Sequence, residues 1–304
     1  MNVLEIDGLN VSFNVGDAEL NIIRDLNFSL KQNDSISMIG ESGSGKSVIA
    51  AAILNGLEKN AIVSGTVRYR GESIYDMSGK RLREVKGKGI CLIPQNASQS
   101  WDPLMRIGAQ MGGFLLKAGY EKKEIPSMIY DELLKCGFDD PAAITSSYPH
   151  KLSGGMSQRA LIAMCTSVSP DILIADEPTK GLDGQSMSRV LELMASMKDE
   201  KTFIMITHDL CAAECCKKTA VLYAGKIVEF GDSKKVLDDP LHPYSVGLRA
   251  AHPRNGMTPI RGNGYRNPQD GCPFRERCDL CTAECSSEIP TTEVRGRMVR
   301  CIHV

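Results

Sequence analysis

Ser35-Ile36-Ser37-Met38-Ile39-Gly40-Glu41-Ser42-Gly43-Ser44-Gly45-Lys46-Ser47 runs a short apolar strand into a glycine-rich loop, and the stretch that follows, Val48 to Leu54, contains no Gly or Pro and reads as a helix. Strand, loop and helix in that order make a phosphate site. The glycines let backbone N–H groups wrap the phosphates, and the helix presents its positive N-terminal end to them. Lys46 is suited to neutralise the outer phosphates of a nucleotide, and the Ser47 hydroxyl to hold Mg²⁺. Gly40, Glu41, Ser42, Gly43, Ser44 and Gly45 supply the cradle.

Working outward, strands are expected at Val3 to Ile6, near Val11 to Phe13, at Asn27 to Leu30, Gly65 to Arg70 and Gly89 to Ile93. From about 98 to 169 the pattern is helical, with stretches such as Ile107 to Lys117 and Ser127 to Cys136, which suggests an inserted helical subdomain. Apolar β-type runs return at Ile172 to Ala175 and Thr202 to Ile206, separated by a helical stretch from Ser186 to Lys198, as in a buried parallel sheet. The first of these leads into Asp176-Glu177, two carboxylates at a strand end where open α/β sheets bind ligands. Asp176 can support Mg²⁺ and Glu177 can polarise an attacking water. Beyond Pro240 the chain is rich in Pro, Gly, Arg and Cys, and a small appendage held by something other than a large apolar core is expected.

Bulk properties exclude several classes. In 304 residues, 36 Lys plus Arg balance 37 Asp plus Glu, so no global basic field marks nucleic acid or anionic lipid as a partner. No run approaches the roughly 20 apolar residues of a membrane span, and the N-terminus lacks the basic and apolar regions of a signal peptide, so a cytoplasmic location is expected. The cysteines number eleven, an odd count that argues against a secreted disulfide framework. Cys91, Cys136, Cys165, Cys211, Cys215 and Cys216 read as small buried hydrophobes. Cys272, Cys278, Cys281, Cys285 and Cys301 crowd the tail.

Leu152-Ser153-Gly154-Gly155-Met156-Ser157-Gln158-Arg159 resembles the signature of ABC-transporter ATPases, in the form found in the peptide and nickel importers. The resemblance implies an α/β P-loop NTPase core of the ABC ATPase type with an antiparallel β subdomain, an inserted helical subdomain and a Cys-rich C-terminal extension. The ABC domain would cover 1–239 and the extension 240–304. It also implies that Ser153, Gly154 and Gly155 close over ATP held by the loop of a second ATPase subunit, commonly a paralogue, in a head-to-tail dimer. Phe13 matches the aromatic residue that stacks on adenine, with a core aromatic on a strand as the rival reading. Gln95 matches the glutamine that contacts Mg²⁺ and the attacking water. His208 matches the histidine that reaches the γ-phosphate. Thr179-Lys180-Gly181-Leu182-Asp183 stands at the dimer junction, where Asp183 is retained and Lys180 is a departure that adds charge.

His242-Pro243-Tyr244 and Gly271-Cys272-Pro273-Phe274 resemble the C-terminal extension of the oligopeptide, dipeptide and nickel importer ATPases. Cys272, Cys278, Cys285 and Cys301 fall where some relatives hold a 4Fe–4S cluster. The Cys278/Cys281 spacing also suits Zn²⁺, and reduced thiols without a ligand are a third reading. The resemblance implies two transmembrane permease subunits, an extracytoplasmic substrate-binding protein, a place on the cytoplasmic face of the membrane, and a cargo of peptide, nickel or metal chelate. A soluble ABC ATPase acting on nucleic acid or ribosomes is the alternative; it predicts basic arms or coiled coils, which the sequence lacks. A P-loop kinase or GTPase of another type is disfavoured by the Leu152 to Arg159 segment.

Overall fold

The computed structural model describes residues 2–16, 18–262 and 271–304. The chain divides into two compact units, Met1–Asp76 with Met205–Val304, and Met77–Ile204. The first unit begins with β1 (Asn2–Val15), β2 (Ala18–Lys31), β3 (Ser35–Ile39), β4 (Ala61–Tyr69) and β5 (Glu72–Ser73). The second holds β6 (Ile90–Ile93) and β7 (Ile172–Asp176), and β8 (Phe203–Thr207) runs across the boundary in sequence. The first unit then resumes with β9 (Lys218–Tyr223), β10 (Lys226–Asp232), β11 (Thr292–Val294) and β12 (Arg297–Val299).

In the first unit β2, β1, β4 and β5 form an antiparallel sheet in that order. The two short strands expected at its start are one long strand, β1. Its buried residues explain the discrepancy: Leu4 and Ile6 face inward, then Leu9 and Val11, so the period-two alternation slips by one residue between them. Register shifts against both neighbours lie at this point, where Gly8 adopts φ +56. A bulge of this kind swaps the faces of everything downstream, which breaks the alternation that marks a strand.

A second set of strands in this unit runs β11-β12-β10-β9-β3. Here β3 and β9 pair in parallel, whereas β9–β10, β10–β12 and β11–β12 are antiparallel. All five residues of β3 are buried, as expected for a parallel strand covered on both faces.

The tail departs from the expectation of a core-poor appendage. Tyr244, Cys272, Phe274, Cys285 and Ile289 belong to one buried cluster with Ile39, Val221, Tyr223 and Val228. Burying side chains of this size contributes roughly 1.5–3 kcal/mol each, so the segment has an apolar core by sharing that of β3, β9 and β10. A buried ion pair ties it further. Arg297 on β12 lies 3.5 Å from Glu229 on β10, with both side chains almost wholly buried. The Glu229 carboxylate also accepts the backbone N–H groups of Leu241 and His242, at 3.0 and 2.9 Å, which satisfies a charge that would be costly alone.

The second unit is largely helical between its two strands. Ile107, Met111 and Leu115 are the buried residues of the helix Ile107–Lys117, and Ile125, Ile129 and Leu133 those of Ile125–Lys135. Each set has the four-residue spacing that lines one helix face, and the two helices pack together. β6 and β7 pair in parallel, with Ile93 opposite Ala175. The architecture is therefore α/β with an antiparallel sheet and a helical insertion. Among the described residues no helix is long and apolar enough to cross a membrane.

Candidate functional site

In the first unit the phosphate loop leaves the buried end of β3 and closes on the helix Lys46–Ile53. Glycine is required at both ends of the loop. A Cβ on Gly40 would strike the Leu222 carbonyl of β9, and Gly45 takes φ +99 where a Cβ would lie 2.5 Å from Ile23 Cδ1. Lys46 is 7% exposed, and its ammonium donates to the carbonyls of Gly40 and Glu41 at 2.7 and 2.9 Å. The charge is thus held over the loop. Ser42, Gly43 and Ser47 are exposed, whereas Ser44 is buried with its carbonyl accepting Gly225 N–H.

Phe13 and His208 belong to the same unit. Phe13 is half-buried on β1 opposite Leu20 and Ala61 and outside the fully buried core, leaving part of its ring accessible. His208 is exposed immediately after β8. The turn behind it is pinned, because Asp209 N–H donates to Thr207 Oγ1 and Asp209 Oδ1 accepts Cys211 N–H.

In the second unit the parallel pairing of β6 with β7 brings Gln95 and Asp176-Glu177 to matching strand ends. Gln95 is exposed, Asp176 half-buried and Glu177 buried. Glu177 sits at φ +48, unusual for a residue with a long side chain, and its carbonyl accepts Lys180 N–H at 3.1 Å. Backbone in this region costs energy and concentrates at functional positions. Lys180 itself is exposed.

The signature segment starts the helix Gly154–Ser167, with Ser153 as cap accepting Met156 N–H at 3.3 Å. Ser153 and Gly154 are exposed and Gly155 is buried. A Cβ on Gly155 would lie 2.5 Å from Ser186 Cβ, so this glycine sets the approach of the helix Gly184–Ser196. Asp183 caps that second helix: its carboxylate accepts Ser186 N–H at 3.0 Å and Ser186 Oγ–H at 2.7 Å. These bonds hold the Asp183 carboxyl below the usual carboxylate range. Ser186 therefore joins Gly155 to Asp183, a link that the sequence does not announce. Arg159 points inward, donating to the Cys136 and Gly137 carbonyls at 2.8 and 2.7 Å.

Two tail side chains reach the phosphate loop: Tyr244, from the His242-Pro243-Tyr244 stretch, and Arg277, which no sequence pattern singles out. Tyr244 Oη accepts Glu41 N–H at 2.8 Å, and Arg277 forms a two-pronged pair with the Glu41 carboxylate at 2.8 and 3.0 Å. They lie 203 and 236 positions from Glu41, beyond any local pattern. The nearest hint is that each falls within the segment resembling an importer tail.

Cys272, Cys285 and Cys301 are buried, Cys278 is half-buried and Cys281 is exposed. Burial pushes the Cys272 thiol up to about 11, and its neighbours Cys285, Cys301 and Cys278 add to the rise. Backbone N–H groups of Phe274, Leu280 and His303 approach the sulfurs of Cys272, Cys278 and Cys301 and pull the other way. Three of the tail sulfurs, those of Cys272, Cys278 and Cys301, thus each receive an N–H from two residues on, which suits thiolates bound to a metal centre. Cys281 is exposed, with its Sγ in hydrogen-bonding reach of the Thr282 carbonyl and of the Cys285 side chain. Cys285 Sγ lies 3.6 Å from His303 Nε2.

Asp209, Cys211 and His252 form another compact group, with His252 Nε2 3.5 Å from Asp209 Oδ1 and 3.9 Å from Cys211 Sγ. Cys211 is thus half-buried beside polar groups, unlike the apolar setting expected for it. His252 Nδ1 accepts Arg254 N–H at 3.3 Å, so one ring nitrogen is already engaged by the backbone.

Residues 23–180 match the ABC transporter family, and residues 228–285 match the oligopeptide/dipeptide transporter C-terminal region. The chain is 36% identical over 312 residues to the oligopeptide transport ATP-binding protein OppD of Escherichia coli, covering 98% of this chain and 92% of that one. It is 35% identical over 307 residues to the dipeptide transport ATP-binding protein DppD of Bacillus subtilis, covering 97% and 92%. Its fold is similar to that of a dimeric ATP-binding cassette bound to ADP and phosphate, with TM-score 0.67 at 21% identity over 76% of this chain and 98% of that one. It is equally similar to cbiO1 from Clostridium perfringens, with TM-score 0.67 at 23% identity over 82% and 94%.

Proposed function

The chain belongs to the ABC transporter family as an ATP-binding, ATP-hydrolysing subunit, and we propose that it powers import of peptides through separate membrane subunits. The observation that supports this most directly is that the tail typical of peptide importers is built onto the nucleotide loop, through Tyr244 Oη on Glu41 N–H. A tail so placed belongs to the motor. Peptide is favoured over nickel as cargo because the matching relatives are oligopeptide and dipeptide transport proteins. The balanced charge gives nothing for an alternative role on nucleic acid.

In this reading Phe13 stacks on adenine, the loop from Gly40 to Gly45 gives its N–H groups to the phosphates, and Lys46 neutralises them. Ser47, Gln95 and Asp176 offer a hydroxyl, an amide oxygen and a carboxylate, a donor set suited to a hard cation. Mg²⁺ held by such donors would offset charge on the phosphate oxygens. Glu177 takes the proton of the attacking water, and His208 contacts the terminal phosphate. Ser153 and Gly154, exposed at a helix start, present N–H groups to ATP on a second subunit, and Asp183 sits at that junction. The partner is a second ATPase, read as a paralogue, in a head-to-tail pair. Two permease subunits and an extracytoplasmic binding protein complete the importer, which places this chain on the cytoplasmic face of the membrane as a peripheral subunit. Cys272, Cys278, Cys285 and Cys301 would hold a 4Fe–4S cluster; Zn²⁺ is less favoured because Cys281, needed for a C-x-x-C pair, is exposed while the other four are buried or half-buried.

Reconstitution tests the import reading. Proteoliposomes containing the permease pair and both ATPase subunits, given the binding protein, are expected to accumulate labelled peptide only with ATP. Uptake of nickel but no peptide sinks the cargo assignment.

A further inference from the structure

We propose that Arg277 is a positioning residue for the nucleotide loop, tying ATP affinity to the state of the cysteine site beside it. The inference rests on the reading of the four tail cysteines as a metal-binding set.

Glu41 poses an electrostatic problem. It places a carboxylate inside a loop whose task is to receive the polyanionic phosphates of ATP, and an uncompensated negative charge there repels the ligand. Arg277 resolves it. Its two terminal nitrogens meet the two Glu41 oxygens at 2.8 and 3.0 Å, the fork-to-fork geometry that is strongest for this pair. The Arg277 side chain is 8% exposed, and its guanidinium lies 5.7 Å from the ring centres of both Tyr223 and Phe274. Its Nε donates to the Arg261 carbonyl at 2.6 Å, and Nη1 also reaches Tyr223 Oη at 3.2 Å. The bond to Glu41 raises the Arg277 pKa further above its usual range. Tyr244 holds the same loop residue by its main chain, so Glu41 is gripped at both ends. Tyr223, Tyr244 and Phe274 pack on one another, with ring centres 4.6 to 5.4 Å apart, and make the clamp a single rigid block.

The clamp and the cysteine site share one short segment. Arg277 ends the turn Arg275–Arg277, which lies between Cys272 and Cys278. Cys272 N–H donates to the Cys285 carbonyl, and Cys278 N–H donates to that of Arg275. A centre bound at Cys272 and Cys278 fixes both ends of this segment and with it the guanidinium. Losing the centre releases them, and Glu41 keeps its charge without a fixed partner. By linkage, bound ATP must stabilise the cysteine site by the same factor.

The test uses the full chain purified anaerobically with its site loaded, and a fluorescent ATP analogue with Mg²⁺. Arg277→Met is expected to raise the nucleotide Kd and the KM for ATP by about tenfold while kcat stays within about twofold. Arg277→Lys, which keeps charge but not the fork, falls between. Glu41→Gln combined with Arg277→Met is no worse than Arg277→Met alone, because the two belong to one pair. Chelator treatment of the wild type moves its Kd to the Arg277→Met value and leaves that variant unmoved. Unchanged affinity in Arg277→Met with its metal content and melting temperature retained overturns the proposal. So does an equal loss on chelation in both proteins. If Arg277→Met fails to fold, the alkylation rate of Cys278 decides: ATP slows it in the wild type and not in Lys46→Ala, and equal rates with and without ATP in the wild type refute the coupling. A wild type that binds ATP but holds no metal overturns the metal-dependent half, and the Kd of Arg277→Met then decides the Arg277 half.

Discussion

Two helices of this chain start at glycine-rich turns, Lys46–Ile53 in one compact unit and Gly154–Ser167 in the other, and their first turns are equipped in opposite ways. The first carries its own cation: Lys46 is buried and anchored on loop carbonyls, and the loop is backed by Leu222, Tyr244 and Arg277. The second has no charged residue in its opening turn, only the Ser153 cap, and both Ser153 and Gly154 face outward. A helix start with a lysine and a supported loop can bind phosphate alone. One with only N–H groups and a dipole offers much less, typically 0.3–1 kcal/mol at an exposed site. In the proposed reading the chain therefore holds one strong half-site and one weak one, and the weak one gains meaning only against a nucleotide held elsewhere.

Substitutions can separate the two half-sites from each other and from the chemistry. The largest effect is expected from Glu177→Gln, which leaves both helix starts intact and removes only the base. Single-turnover assays should show hydrolysis reduced by about 10²–10⁴-fold with ATP binding retained, and size exclusion should find the ATP-bound dimer trapped. Turnover near the wild-type rate removes Glu177 from the role. Lys46→Ala attacks the strong half-site, and calorimetry should register a loss of about 2–5 kcal/mol in nucleotide binding. Gly155→Ala probes the weak half-site. The added methyl pushes on Ser186 at a cost of about 1–3 kcal/mol. ATP-dependent dimerisation and turnover should fall while the nucleotide affinity of the monomer holds, and Ser186→Gly should restore part of the loss. A drop in monomer affinity instead would erase the division between the two sites.

The smallest effect concerns acid. His242 is buried with its Nδ1 accepting Tyr244 N–H, and burial lowers its pKa to about 3. Because the folded value lies below the unfolded one, near 6.5, the unfolded chain binds the proton first as pH falls. The stabilisation is therefore complete above about 6.5 and is lost progressively toward about 3. Thermal melts between pH 7 and 5 should show this slope, and His242→Asn, which keeps a cap acceptor without the titration, should flatten it. The loss falls on the unit that contains the phosphate loop. An identical slope in the variant would assign the titration elsewhere.

Much of the nucleotide chemistry is legible in the sequence. The segment from Ser35 to Leu54, the run from Ile172 to Glu177 and the stretch around Ser153 are each contiguous, because phosphate binding needs several N–H groups from neighbouring residues and a strand end to aim them. Elements whose pattern is local are legible too, and the helix Ile107–Lys117 has the bounds its periodicity suggests. β1 reads as fragments because its bulge flips the inward face between Ile6 and Leu9. β4 begins at Ala61, earlier than expected, since Gly65 hides its continuity: this glycine takes φ +86 where a Cβ would collide with the Gly8 backbone. The tail misleads for a related reason. Tyr244, Phe274, Cys285 and Ile289 are too sparse to suggest a core by themselves, and they are buried against strands formed by earlier parts of the chain.

The reaction class thus follows from the order of residues alone: a phosphate loop with Lys46, a carboxylate pair at a strand end and a second helix start at Ser153. Each depends on adjacent residues, whose order folding does not rearrange. What holds those pieces in place emerges only from the fold. Ser186 against Gly155, and Tyr244 and Arg277 on Glu41, are pairings of distant positions. Hydrogen-bond and charge pairing have no period along the chain, so such partners become visible only when the packed core brings them within about 3 Å of one another.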